Sequence, residues 1–154
     1  MKKHTLYRIY YDENLVYLGR TNQPISTRLR GHFFDKPMHK KIDINQVTKI
    51  EISELKTEAD MFIYEIYYIN KLKPTLNRDD KSRSEVTINL PELKFEEFYP
   101  PRMEVWKKEV ENREKQAIKW HQEQEEWAER KRQARRSMSS DDYSNWLEIM
   151  EGVE

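Results

Sequence analysis

At 154 residues with no cysteine, the chain has room for one compact domain and little more, and disulfides, thiolate zinc sites and a cysteine nucleophile are excluded. Charged and hydrophobic residues each make up 36% and the mean hydropathy is −1.06, too polar for a globule throughout, so part of the chain is a solvated appendage. The 28 basic and 28 acidic residues cancel, yet residues 1 to 80 hold 14 basic against 11 acidic side chains. The surplus concentrates between Arg20 and Lys41, where Arg20, Arg28, Arg30, Lys36, Lys40 and Lys41 face Asp35 alone. Such a cluster is either a phosphate footprint or a solvated basic face. The opening MKKHTLYRIYYDEN lacks the apolar run of a signal peptide, and no segment approaches a membrane span, which points to a cytoplasmic protein.

Residues 5 to 11 and 14 to 19 are β-prone runs rich in tyrosine and branched residues, and Asp12-Glu13 between them marks a hairpin. Pro24 suits the first turn of a helix reaching about Phe34, with Ile25, Leu29 and Phe33 as its buried edge. Arg28 and His32 share a neighbouring edge. Residues 46 to 55 alternate Val47, Lys49 and Glu51 against Thr48, Ile50 and Ile52, a third strand. Thr57 caps a helix whose first turn holds Glu58 and Asp60 and which ends before Pro74. This order makes a small α+β domain over residues 1 to 80, a three-stranded antiparallel sheet flanked by helices. A connecting segment of residues 81 to 100 follows, with a short strand expected at 85 to 90.

From Arg102 to Arg136 there is neither glycine nor proline, which predicts one long helix, and a short helix is expected at about 140 to 150. Met103, Trp106, Val110, Arg113, Ala117, Trp120, Gln124, Trp127, Lys131 and Ala134 follow three- and four-residue spacing, a heptad seam with polar interruptions. An arm of residues 101 to 154 that pairs with a second copy or a partner competes with a helix folding back on the core. The cluster Arg130, Lys131, Arg132, Arg135 and Arg136 reads either as a nucleic-acid contact or as a helix end favoured by its dipole.

Phosphodiester hydrolysis needs a proton acceptor for water, positive charge for the phosphoryl oxygens and stabilisation of the leaving oxygen. Tyr7 and Tyr17 lie on paired strands and can present both hydroxyls to one face, towards which Arg28 and His32 project one turn apart. Glu65 sits mid-helix among Phe62, Ile63, Ile66 and Ile69, where an unpaired carboxylate is costly and an ion or an arginine partner explains it. Plainer alternatives stand beside each: cross-strand packing for the tyrosines, a solvated helix face for Arg28 and His32, and a pair with Lys71 for Glu65.

Thr5-Leu6-Tyr7, Tyr17-Leu18-Gly19, Arg28 and His32 in STRLRGHF, Glu65 in TEADMFIYEIYYINKL and Asn77 in KPTLN together resemble the GIY-YIG nuclease superfamily over about residues 5 to 77. Thr5 stands where that family has glycine, and Leu6 and Leu18 where it has isoleucine. The resemblance implies a DNA endonuclease in which Glu65 coordinates one Mg²⁺ or Mn²⁺ ion, Arg28 clamps the scissile phosphate, and Tyr7 or Tyr17 is the base or positions the nucleophile. A free phenol titrates near pH ~10, so it needs help from the ion or a cation, for which Arg20 is a candidate. His32 shares proton transfer or binds phosphate, and Asn77 holds the loop after the catalytic helix. Arg20, Arg30, Lys40, Lys41 and Asn77 make up the expected substrate-binding set, and DNA is the expected partner, with a homodimer or protein contact through the arm. The competing reading is a binding module on the same scaffold that cuts no DNA.

Overall fold

The computed structural model describes residues 3–36, 42–79 and 81–152; Lys40 and Lys41, and with them His39, lie outside the described residues. Strands β1 (His4–Tyr11) and β2 (Asn14–Thr21) form the expected hairpin, turned by Asp12 in the left-handed region at φ 52°, where aspartate is tolerated better than most residues. Helix α1 (Ile25–Phe34) follows Pro24. After one 3-10 turn at Ile44–Gln46, β3 (Val47–Leu55) pairs with β1. Helix α2 (Glu58–Leu72) begins at Thr57, whose side chain accepts a hydrogen bond from the Asp60 amide. It ends at Lys73, left-handed at φ 52°, just before the proline.

The sheet is antiparallel with order β2-β1-β3-β4. It has a fourth strand, the short β4 (Glu96–Glu97) on the outer edge of β3. The strand expected at 85 to 90 is absent: that segment has no regular secondary structure and pairs with no strand. Val86, Leu90, Leu93 and Phe95 pack against the cluster formed by Leu6, Leu18, Met61, Tyr67, Tyr68 and Ile69. Two anchors fix this strap, Tyr64 Oη donating to the Pro91 carbonyl at 2.9 Å and the Leu93 amide donating to Tyr68 Oη at 3.0 Å. Alternating residues predict an extended chain; which partner it meets is a tertiary matter.

Side-chain alternation divides the sheet into two faces. Leu6 and Leu18 meet α2, while Tyr7 and Tyr17 meet α1. Leu29, His32 and Phe33 are the buried residues of α1; Ile25, expected on that edge, is half-buried. Helix α3 (Met103–Ser137) starts against this layer, with Trp106 6.0 Å from the Phe33 ring.

The chain divides into two compact units, Met1–Lys108 and Glu109–Glu154. In the second, Ser139 caps α4 (Ser140–Glu151), which lies against the end of α3. Trp146 stacks on Trp127 at 5.4 Å and on Tyr143 at 6.0 Å. The basic run of α3 is partly paired here, Lys131 with Glu151 and Arg132 with Glu129. Residues 111–126 are exposed on every side, held helical in part by same-helix ion pairs such as Arg113 with Glu109 at 2.8 Å and Lys115 with Glu111 at 2.6 Å.

Candidate active site

The site is built around the edge strand β2. In the β1–β2 register Tyr7 faces Gly19 and Ile9 faces Tyr17, so both phenols rise on the α1 side, with ring centroids 6.0 Å apart. From α1, Arg28 Nε donates to Tyr7 Oη at 3.1 Å, and His32 Nε2 shares a hydrogen bond with the same hydroxyl at 2.6 Å. The His32 ring meets Tyr17 edge-on at 4.7 Å. Gly19 makes this convergence possible: a Cβ there would stand 2.7 Å from both Tyr7 Oη and Tyr17 Cε1.

Glu65 reaches the same edge from the other face. Arg20, opposite Leu6 in the register, lies on the α2 side. Its Nε donates to Glu65 Oε2 at 2.5 Å, and its guanidinium covers the Phe62 ring at 3.4 Å. Beyond β2, the chain leaving α2 closes the edge. The Leu76 amide donates to the Val16 carbonyl at 2.7 Å. The Asn77 amide accepts from Leu18 N–H and donates to Leu18 C=O, both at 2.8 Å, standing in for a neighbouring strand.

These elements form a cavity of about 190 Å³ that is lined by Tyr17, His32, Lys36, Glu65, Arg78 and Asp79 among others. An open cleft adjoins it, lined by Arg20, Asn22, Arg28 and Glu65 among others. Glu65 borders both spaces.

Burial sets the electrostatics. It pushes the Tyr7 phenol far above its ordinary range, the nearby Tyr17 adds to the rise, and Arg28 only partly opposes it. Burial also raises Tyr17, again against Arg28. His32 is held down at about 3, by burial first and then by Arg28 and Lys36, so its ring is neutral at physiological pH. Its Nδ1 is buried and has no hydrogen-bond partner among the described residues.

Comparison with known proteins decides what this assembly is, because the GIY-YIG catalytic domain model matches residues 3–78. Those residues form a GIY-YIG catalytic domain. The domain is of nuclease type. Similar proteins include the UvrABC system protein C of Borrelia duttonii (strain Ly) and of Borrelia recurrentis (strain A1), each 33% identical over 87 residues, 53% of this chain. The same protein of Stenotrophomonas maltophilia (strain R551-3) is 29% identical over 89 residues, 54% of this chain. In all three the aligned stretch is only 14% of the relative's length. No solved structure matches.

Within the GIY-YIG domain, the residues singled out from sequence fall into three groups. Tyr17, His32 and Glu65 line the cavity and Arg28 the cleft, while Tyr7 is buried behind them and lines neither space, joined to Arg28 and His32 by hydrogen bonds. Arg20 is beside them, but its partner is Glu65 rather than a phenol; the cation in contact with Tyr7 is Arg28. Asn77 lines the cavity, though its amide is engaged by Leu18. Arg30 stands exposed on α1, its guanidinium over Phe34 at 5.0 Å, and lines neither space. Phe62, Ile63 and Ile66, read from sequence as an apolar setting for Glu65, point to solvent, while Ile69 is buried.

Gly19, packed against both tyrosine rings, and Asp79, on the cavity, were not foreseen. Gly19 stood in the motif without a reason for being glycine, and no sequence signal marks its contact with two rings. Asp79 follows Asn77 by two positions, which is the only hint that it shares the cavity.

For an ion, the donor set is one carboxylate, Glu65, with Asp79 on the same cavity. No group of three or more His, Cys, Asp or Glu able to hold a metal occurs among the described residues. That suits a hard cation such as Mg²⁺, which takes one or two carboxylates and fills its remaining positions with water and substrate phosphate. It does not suit a site made wholly of protein ligands.

Proposed function

We propose that the chain is a divalent-metal-dependent endonuclease that hydrolyses DNA phosphodiester bonds. One observation carries this: Tyr17 and His32 from one side of the β2 edge, and Glu65 from the other, border a single cavity, with Arg28 at the adjoining cleft. Glu65 would hold one Mg²⁺ or Mn²⁺ ion, which supplies positive charge to the phosphate and acidity to water. Arg28 contacts the non-bridging oxygens with a guanidinium that is always charged.

In hydrolysis the water oxygen bonds phosphorus, the bond to the leaving sugar oxygen breaks, and a proton leaves the water. Tyr17 is the phenol on the cavity, so it orients the water; after releasing its own proton to solvent, which nearby positive charge favours, the phenolate takes the water's proton, and the leaving sugar oxygen picks up a proton from solvent. Tyr7 is too deeply buried to ionise. It works as a positioning residue that ties Arg28 and His32 into one network. Arg20 holds the Glu65 carboxylate in place before the ion arrives, and the basic side chains Lys36 and Arg78 at the cavity supply sequence-independent attraction to the backbone. The exposed stretch 111–126 of α3, with Ala117, Trp120 and Gln124 at heptad spacing, is the part of the arm open to a second copy, a partner or DNA.

The test is nicking of supercoiled plasmid with Mg²⁺ or Mn²⁺ by the wild type beside Glu65→Ala. The wild type should cut, chelator should stop it, and Glu65→Ala should retain no more than about a hundredth of the rate. Equal traces from both proteins would leave a binding module in place of an enzyme.

A further inference from the structure

Phe62, Ile63 and Ile66 of α2 are 39%, 54% and 51% exposed; other large apolar side chains are exposed elsewhere, but these three sit as a strip on the helix that carries Glu65. Helical geometry sets Phe62 and Ile66 on the flank of Glu65, with Ile63 farther round the same exposed face. The strip is continuous with the site. The arginine that bonds Glu65 lies on the Phe62 ring, and Ile69 and Leu76 extend the apolar surface into the cavity that Glu65 lines.

That continuity restricts what can cover it. A protein bound there permanently would cap the cleft of Arg20, Arg28 and Glu65 and close the site. The occupant must therefore arrive and leave with the reaction, as a substrate does. A continuous B-form duplex offers a protein mainly phosphates and the edges of its bases, neither of which rewards a phenyl ring and two branched aliphatic chains. Apolar side chains gain from DNA when they pack on the faces of bases or wedge between them. In an intact duplex this requires unstacking, whereas unpaired bases present their faces already.

Resting on the nuclease reading above, we propose that Phe62, Ile63 and Ile66 form a base-contacting wedge beside the scissile phosphate, so that the preferred substrate is DNA whose duplex is interrupted by unpaired bases. Arg20, Arg28 and Lys36 hold the backbone on one side while the wedge engages bases on the other. The motif residues explain cutting, and the wedge explains which DNA is cut.

Fluorescence anisotropy on the full chain, without divalent metal, tests this with two duplexes of equal length and matched sequence, one fully paired and one carrying a short central run of mismatches. Wild type should bind the interrupted duplex roughly tenfold more tightly, the scale of one stacked base. Ile63→Ser/Ile66→Ser, which alters exposed positions only, should lose most of that preference and keep its affinity for the paired duplex and its melting temperature. The conservative Ile63→Val/Ile66→Val should retain the preference. Equal affinity of the wild type for both duplexes overturns the wedge while leaving the nuclease reading intact, provided plasmid is still cut. A wild type that sediments as a dimer and a serine variant that sediments as a monomer overturns it too, by making the strip an interface between copies. Binding to neither duplex, with no cutting, overturns both readings.

Discussion

Replacing Gly19 by alanine puts a single methyl group where the site has no space. Carbon atoms in contact rest ~3.5–4.0 Å apart, so the 2.7 Å approach to Tyr17 Cε1 demands about 1 Å of movement. The same methyl stands 2.7 Å from Tyr7 Oη and 2.9 Å from Tyr7 Cζ, and Tyr7 is fully buried, so its ring cannot yield freely. Moving Oη stretches its 2.6 Å contact with His32 and its 3.1 Å contact with Arg28.

Overpacking of this kind costs about 1–3 kcal/mol, which lowers the melting temperature by on the order of 10 °C in a domain of this size. A 1 Å displacement of groups around a reacting centre costs on the order of a hundredfold in rate. Gly19→Ala should therefore reduce plasmid nicking about a hundredfold, measured at a temperature where the variant is still folded by circular dichroism. Gly19→Ala/Tyr7→Phe should recover part of the lost stability, because one of the close contacts disappears, without recovering the rate. A Gly19→Ala protein that melts and cuts like the wild type would refute the claim that the phenols converge across this glycine.

Two further outcomes follow from the same geometry. Asn77→Ala strands the N–H and C=O of Leu18 on the edge of β2, at about 1–3 kcal/mol for each buried group left unpaired; urea unfolding should show the loss, and an unchanged midpoint would deny Asn77 its part in closing the sheet. Burial holds the His32 imidazole down at about 3, below the ordinary histidine value of 6.5, so the unfolded chain takes up the proton first as pH falls. Its contribution to stability is therefore complete above pH 6.5 and is lost progressively from there towards pH 3. Thermal melts of wild type and His32→Gln between pH 7 and pH 4 should show the steeper decline in the wild type, and parallel declines would mean the ring is not held neutral by burial.

Much of the local architecture was legible in the chain itself. Short-range chemistry decides where a helix or strand begins and ends: Thr57 accepting from the Asp60 amide, Pro74 barring continuation beyond α2, Ser139 capping α4. Strand pairing put Tyr7 beside Tyr17, and one helical turn put Arg28 beside His32; that these and Glu65 belong to one site was an expectation from the resemblance of their order and spacing to a known family.

What only the tertiary structure decided are matters of face, edge and space. Arg20 and Glu65 are 45 positions apart, and nothing local says that they meet on the α2 face while Arg28 serves the phenols on the other. The segment at 85 to 90 has the alternation of a strand, but β4 pairs with the outer edge of β3, so it lies as a strap on α2 instead. The helical period of α2 separates one stripe of side chains from another, yet which apolar ones are buried depends on what else arrives to cover them. Phe62, Ile63 and Ile66 remain exposed because packing reaches Met61, Tyr67, Tyr68 and Ile69. A side chain's own chemistry sets what it can do; only the neighbours brought from distant parts of the chain set what it touches.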